Sequence, residues 1–356
     1  MLTLIKNIVV ILGDPRKSDP VKPGGIFDED DFETIRKLKE ALNKIENINF
    51  TFLDNHDTLE EDLIKLKDNT DFVFNLCDEG FNNDPKHEAD IPDLLTRLEI
   101  PYTGASREGL VTCYDKHLVK VYAEKLGVPT AKFYLLKENE NEIDEEISFP
   151  VIVKPAQGDG SFGINKDSVV KNNKELNKAI LTLRTKFKYN GKILIEEFLS
   201  GDDVMVGILG NPPYSYKVLP MIKEDYGTLP EDLPKICGSE AKWEPESAYW
   251  KCIKSVPVIL DKSTKKLVED GSLKMFQYMK CKDYARFDWR LNENGEPKLL
   301  EVNPNPGWCW DSHLSTMFSL ENFSYPEMLK LILSEAEKRI KLSKTKITIK
   351  NRIISS

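Results

Sequence analysis

Residues 285–306, ARFDWRLNENGEPKLLEVNPNP, decide how the chain is read. Alternation puts Tyr284, Arg286, Asp288 and Arg290 on one face of a strand and Ala285, Phe287, Trp289 and Leu291 on the other, while Asn292 to Pro297 supply turn chemistry. In the returning segment Leu299, Glu301 and Asn303 share one face, and Leu300 and Val302 the other. Symmetric closure of Leu291 on Lys298 opposes Asp288 to Glu301 and Arg286 to Asn303. Like charges directly opposite destabilise a sheet, so a hard divalent cation between two carboxylates with an Asn oxygen nearby is one explanation. A solvated outer face whose charges pair badly is the other, and the hairpin alone leaves both open.

Working outward, the chain has 356 residues, 40% hydrophobic and 9% aromatic, enough for two or three domains with a real core. A net charge of −9 argues against a general nucleic-acid binder, which needs a basic surface. Cysteines 77, 113, 237, 252, 281 and 309 show no C-x-x-C spacing, and four scattered histidines make no His/Cys ligand cluster, so reduced cytosolic thiols are expected. The opening MLTLIKNIVVILGDP has a short apolar run and no small-residue cleavage site, and it reads as a first strand rather than a signal peptide. No run approaches the ~20 apolar residues of a membrane span.

Strand and helix patterns alternate from the start, which is α/β architecture. NIVVIL and DFVFNL are buried strands. Between them Asp31 precedes Phe32, Ile35, Leu38 and Leu42 at helical spacing. CYDKHLVKVYAEKLGVPT, 113–130, reads as a helix closed by Gly127 and Pro129. The expected division is an N-terminal parallel α/β domain over 1–103, a central unit over 104–190, a C-terminal unit over 191–340, and a basic tail over 341–356 that is solvated or frayed. The segment from 211 to about 257 has poor periodicity and is long for a loop, which marks it as functional or mobile.

Two further stretches could carry chemistry. VIVKPAQGDGSFGI, 151–164, runs a strand through Lys154 into Gly158, Gly160 and Gly163, a loop able to present N–H groups to phosphate. It is not a Walker A loop, because the lysine precedes the glycines; a plain connection remains the alternative. ILIEEFLSGDDVMVGILG, 193–210, links two apolar strands through Glu196, Glu197, Phe198 and Leu199, with Asp203 past the turn. Such an acid pair could bond an adenine amino group and a ribose hydroxyl, or simply end a strand.

Taken in order, IPYTG, Asp115-Lys116, GVPT, FPVIVKP, GSFGI, EEFLSG, EAK at 240–242, YARFD and LLEVNPNPG resemble the ATP-grasp superfamily, and most of all the D-alanine:D-alanine ligase family, over residues 92–312. The resemblance implies a three-domain ATP-grasp fold, an N-terminal α/β domain followed by two α+β subdomains. It implies that Lys116 and Lys154 hold ATP phosphates, that Gly160, Ser161 and Phe162 form the tip of a phosphate-covering loop, and that Glu196, Glu197 and Leu199 meet adenine and Asp203 the ribose. Lys242 matches a lysine that closes over the γ-phosphate, Asp288, Glu301 and Asn303 match ligands of Mg²⁺ or Mn²⁺, and Arg286 with the Gly307 N–H matches the oxyanion donors. The implied reaction phosphorylates a substrate carboxylate and lets an amine displace phosphate, with amino acids as the expected substrates. A homodimer follows from the same resemblance, and a cytoplasmic location from the reading of the cysteines as reduced thiols.

The substrate signals depart from the family pattern. ILGDPRKSDPVKPGGIFDEDD replaces the usual Gly-Gly…Ser-x-Glu opening, so Asp14, Asp28 or Glu29 is left to meet the first substrate's amine; NLCDEG replaces L-H-G. Ser312 stands where a serine meets the second substrate's carboxylate, but Trp308, Trp310 and Asp311 are large or charged newcomers, and Trp308 either contacts substrate or packs the hairpin. The alternatives are a ligase for L-amino acids or another carboxylate and amine, and a catalytically silent ATP-binding regulator. The lack of G-x-G-x-x-G after the first strand argues against a dinucleotide oxidoreductase.

Overall fold

A computed structural model describes residues 5–20, 22, 24–143, 146–158 and 160–354, with side chains through 343. Three sheets organise it, and together they make the ATP-grasp architecture expected.

The first sheet is parallel, in the order β2-β1-β3, from β1 (Asn7–Ile11), β2 (Asn49–Leu53) and β3 (Phe72–Asn75). Both faces of β1 are covered, which is why its sequence is continuously apolar. Ile8 and Val10 meet Leu38 and Leu42 of α1 (Glu29–Leu42), while Val9 and Ile11 meet Leu59 and Leu63 of α2 (Leu59–Leu66) and Ile91 and Leu95 of α3 (Asp90–Arg97). Helix α1 is capped by Asp28, three residues before the Asp31 that the sequence spacing pointed to. Asp28 accepts from the N–H groups of Asp30 and Asp31, and Asp31 returns its carboxylate to the Asp28 N–H at 2.8 Å, a capping box.

Helices α4 (Arg107–Cys113) and α5 (Lys116–Lys125) lead into the second sheet, in the order β4-β7-β5-β6, from β4 (Phe133–Leu136), β5 (Val151–Pro155), β6 (Val169–Val170) and β7 (Ile193–Glu197). Between β6 and β7, α6 (Asn173–Thr185) buries Leu176, Ile180 and Leu183 against Val151, Val153 and Ile195. Strand β7 lies between β4 and β5, so a division at 190 separates it from the sheet it completes; the change of sheet falls between Glu197 and Asp203. The sequence hid this because β7 and the next strand are both apolar runs only five residues apart.

The third sheet runs β11-β10-β8-β12-β13, with β9 also on β8: β8 (Asp203–Asn211), β9 (Ser215–Val218), β10 (Ile222–Asp225), β11 (Lys254–Pro257), β12 (Tyr284–Leu291) and β13 (Pro297–Asn303). The short α7 (Ser239–Trp243) and α8 (Ala248–Cys252) break the long segment between β10 and β11. One face of this sheet packs on α5 and α9 (Lys262–Tyr278). The other receives α10 (His313–Ser319) and α11 (Tyr325–Ile354), and α11 also covers the first sheet. The basic segment from 341 continues α11 to Ile354; Ser355 and Ser356 lie outside the described residues. No helix among the described residues is long and apolar enough to cross a membrane.

The β12–β13 hairpin pairs Asp288 with Glu301 and Arg286 with Asn303 as expected, but not by symmetric closure. Leu291 pairs Pro297 rather than Lys298, and a bulge between the Asp288 and Trp289 pairs leaves Leu300 as the extra residue. Leu299 therefore joins Trp289 in the core instead of sharing the face of Glu301.

Candidate active site

Register across the third sheet assembles the site. Ile222, Met205, Asp288 and Glu301 form one row, Gly207, Arg286 and Asn303 a second, and Asp203 with Arg290 a third, all on one face. Arg286 donates Nε and Nη2 to the two Asp288 oxygens at 2.7 and 2.9 Å, and Asn303 Nδ2 donates to Asp288 Oδ2 at 3.0 Å. Lys116 opens α5 under the Asp115 cap and reaches over β13, its Nζ 3.5 Å from Glu301 Oε2 and bonded to the Gly158 carbonyl at 2.6 Å. Burial opposes ionisation of Glu301, yet Lys116, Lys154, Lys242 and Arg286 together pull it down to about 2. Two carboxyl groups and an amide oxygen are hard donors suited to a hard divalent cation. Among the described residues no group of three or more His, Cys, Asp and Glu side chains could hold a metal by itself.

Lys154 projects from β5 and pairs with Glu196 Oε2 at 2.6 Å, while Lys120 pairs with Glu196 Oε1 at 2.6 Å. Burial pushes the Lys120 ammonium down to about 8, and the two lysines hold Glu196 low against the opposing effect of its own burial. The Glu196 carboxylate is thus taken up by lysines. Glu197 is exposed and accepts from the Lys132 N–H at 3.3 Å, and Leu199 is buried with its carbonyl accepting from Arg290 Nε at 2.6 Å. Asp203 accepts two bonds from Arg290 Nη1 at 2.8 and 2.9 Å and one from the Tyr226 hydroxyl. Burial raises its carboxyl even so, because Arg290 offsets only part of the desolvation.

The Gly-rich loop meets the α7 segment. Ser161 Oγ donates to the Cys237 carbonyl at 3.1 Å, Ser239 N–H to the Ile164 carbonyl at 2.8 Å, and Lys166 N–H to Glu240 Oε1 at 2.9 Å. Gly160 and Ser161 both take left-handed backbone, φ 65° and 61°, and Phe162 at the tip is half exposed with its ring edge-on to Phe187. Lys242 on α7 joins the cations around Glu301.

Gly307 and Ser312 are neighbours: a Cβ on Gly307 would lie 3.9 Å from Ser312 Cβ. Ser312 caps α10, accepting from the Ser315 N–H at 3.2 Å. Trp308 takes the packing role. Its buried indole donates to the Leu76 carbonyl at 2.8 Å and Asp78 Oδ1 at 3.1 Å, tying the hairpin to the first sheet. The N-terminal acids are also committed: Asp14 is fully buried and accepts from the His56 and Arg16 N–H groups, and Asp28 caps α1; Glu29 stands exposed in that helix's first turn. Glu79, from the segment standing for L-H-G, instead has a buried Oε2 with no hydrogen-bond partner among the described residues, 2.7 Å from where a Cβ on Gly13 would sit. Burial and Asp78 hold its carboxyl well above the usual range.

Sequence reasoning missed Lys120, Arg290, Glu79 and the contact of Glu224 with His313. Lys120 was within reach, one helical turn beyond Lys116 on the same face. Arg290 was on the right face of its strand but had no partner in view, and the other two depend on contacts between distant segments.

The family model described as D-ala D-ala ligase C-terminus matches residues 123–334. The chain is 32% identical to an uncharacterized protein, y4sG, of Sinorhizobium fredii over 75% of each chain. It is 27% identical to a D-alanine–D-alanine ligase of Clostridium beijerinckii over 88% of this chain and 97% of that one. In fold it is similar to the crystal structure of the D-alanine–D-alanine ligase from Bacillus anthracis complexed with ATP, with a TM-score of 0.69 at 22% identity, covering 95% of this chain and 99% of that one.

Proposed function

The chain belongs to the D-Ala-D-Ala ligase family, and from that premise we propose how its residues carry out the reaction. It is an ATP-dependent carboxylate–amine ligase. The observation that carries the residue-level reading is the convergence of Asp288, Glu301, Asn303, Arg286 and Lys116 on one face of the third sheet. Lys116 and Lys154 bind the nucleotide phosphates, and Glu197, Leu199 and Asp203 flank its base and ribose. Asp288, Glu301 and Asn303 would hold Mg²⁺, which when bound draws charge from the phosphates in transfer.

Arg286 and the Gly307 N–H stabilise the oxyanion that forms as the amine adds, a task in which one fixed donor contributes about 10²–10³ in rate. The Gly-rich loop, with Gly160, Ser161 and Phe162, and the segment bearing Lys242 exclude water from the acyl phosphate; the three bonds between them support a joint closure. Glu79, with an oxygen that lacks a protein partner among the described residues, is the carboxylate best suited to meet a substrate ammonium, and Ser312 the hydroxyl for the second substrate's carboxylate. D-alanine is one candidate substrate and L-amino acids are others. A homodimer and a cytoplasmic location remain part of the proposal.

The test is Mg²⁺-dependent phosphate release from ATP with D-alanine, each L-amino acid and pairs of them, beside Glu301→Gln. Release with one carboxylate and amine, abolished in Glu301→Gln, is the expected result. Full activity in Glu301→Gln would sink the metal assignment.

A further inference from the structure

Glu224 is an ionisable side chain in an expensive place. It lies on β10, only 5% exposed, two residues along from Ile222 and therefore on the same sheet face as Asp288 and Glu301. Its Oε1 meets His313 Nε2 at 2.7 Å, and the Ser255 hydroxyl donates to both oxygens at 3.2 and 3.3 Å. A carboxylate only accepts, so this network assigns the hydrogen to Nε2 and leaves Nδ1 as the basic nitrogen, with no protein partner among the described residues.

The imidazole is brought to the site by a glycine. Gly207 is the register partner of Arg286, and a Cβ there would meet Met317 Sδ at 3.0 Å and Leu314 Cδ1 at 3.3 Å. With no side chain at 207, α10 settles onto the sheet beside Arg286. His313 opens that helix directly after Ser312, the neighbour of Gly307, and keeps 32% of its side chain exposed. A partly open imidazole, aimed by a buried carboxylate and standing beside the oxyanion donors, is the arrangement of a proton acceptor.

We propose that His313 takes a proton from the incoming amine in the second half of the reaction, with Glu224 as its positioning residue; this rests on the ligase reading above. The amine arrives as an ammonium. Transfer of one proton to Nδ1 frees the lone pair that forms the C–N bond to the acyl carbon. The C–O bond to phosphate then breaks, the second proton leaves with the phosphate as hydrogen phosphate, and the imidazolium returns its proton to water. A tether between β10 and α10 with no chemical part is the competing account.

Hydroxylamine separates the two, because it is already unprotonated at neutral pH and traps an acyl phosphate without a base. The full-length protein is given ATP, Mg²⁺ and D-alanine or each L-amino acid, and hydroxamate and amide are measured with and without hydroxylamine. For His313→Gln the expected result is amide formation lowered about 100-fold with hydroxamate formation kept within about twofold. Free imidazole should restore amide formation to His313→Ala, and Glu224→Gln should lower amide but not hydroxamate. Unchanged amide formation, or an equal fall in both products, would overturn the proposal alone. Absence of hydroxamate from the wild type with every amino acid would overturn the ligase reading and this inference with it.

Discussion

Glu196 and Glu301 are both pulled to the ionised form, but by different means. Glu196 is held at 2.6 Å by two lysines in a fully buried pocket, so its charge is compensated by contact. Lys120→Met removes one of those partners while Lys154 remains. Breaking a buried pair on one side costs about 3–5 kcal/mol, and the surviving lysine places this variant near 3 kcal/mol, read as a fall in the denaturant midpoint. Adding Glu196→Gln should deepen the loss, because the buried Lys154 ammonium then loses its carboxylate. Glu301 is instead surrounded by four cations at longer range, and its pKa falls from 4.5 to about 2. In that window the unfolded chain binds a proton that the folded chain does not. The stability from Glu301 is therefore complete above about 4.5 and lost as pH falls through about 2. Acid unfolding of Glu301→Gln should show a flatter limb across this interval; an unchanged limb would mean that the surrounding cations do not govern this carboxylate.

The hairpin shows what alternation can and cannot reveal about an element. The outgoing strand obeys period two throughout, so the face bearing Arg286, Asp288 and Arg290 was legible. The return strand carries the doublet Leu299-Leu300, and period two cannot say which of two adjacent leucines is the extra one. Burial decides it: Leu299 fills the core beside Trp289, and the bulge at Leu300 turns Glu301 back to face Asp288. The same core sets a test on α9. Gly271 lies within that helix, where alanine ordinarily gains about 1 kcal/mol. A Cβ at 271 would stand 2.7 Å from Cη2 of Trp289, a fully buried ring fixed by its Nε1 bond to Ser272 Oγ at 3.0 Å. A rigid ring cannot give way as a leucine tip can, so overpacking at about 1–3 kcal/mol outweighs propensity. Gly271→Ala is expected to lower the melting temperature, and a rise would show that α9 has room to move off the sheet.

At the scale of the molecule, the order of strands and helices followed from periodicity, and the proposed nucleotide and metal positions rest on motifs that each lie within one short segment. The contacts that join the sheets were not legible, because they link residues far apart in sequence whose meeting no local pattern encodes: Trp308 with Leu76, His313 with Glu224, and Arg339 with Asp283. The last of these is the strongest tie. Asp283 is fully buried and accepts from Arg339 Nε and Nη2 at 2.7 Å each, from Asn211 Nδ2 at 3.1 Å and from the Gly104 N–H at 3.1 Å. Arg339 Nη2 also donates to the Tyr102 carbonyl at 2.7 Å, so one ion pair joins the end of the first unit, the third sheet and α11. Burial alone would lower the Arg339 pKa, yet it is raised, so Asp283 more than offsets the desolvation of the guanidinium. Arg339→Met leaves a buried carboxylate with neutral donors only, at a cost of about 3–5 kcal/mol. Lys280→Met, which cuts a pair with Glu108 that is exposed on both sides, should cost less than about 1 kcal/mol. Equal losses from the two variants in urea would show that the clamp is no better than a surface pair, and that α11 is held to the two sheets by its apolar face alone.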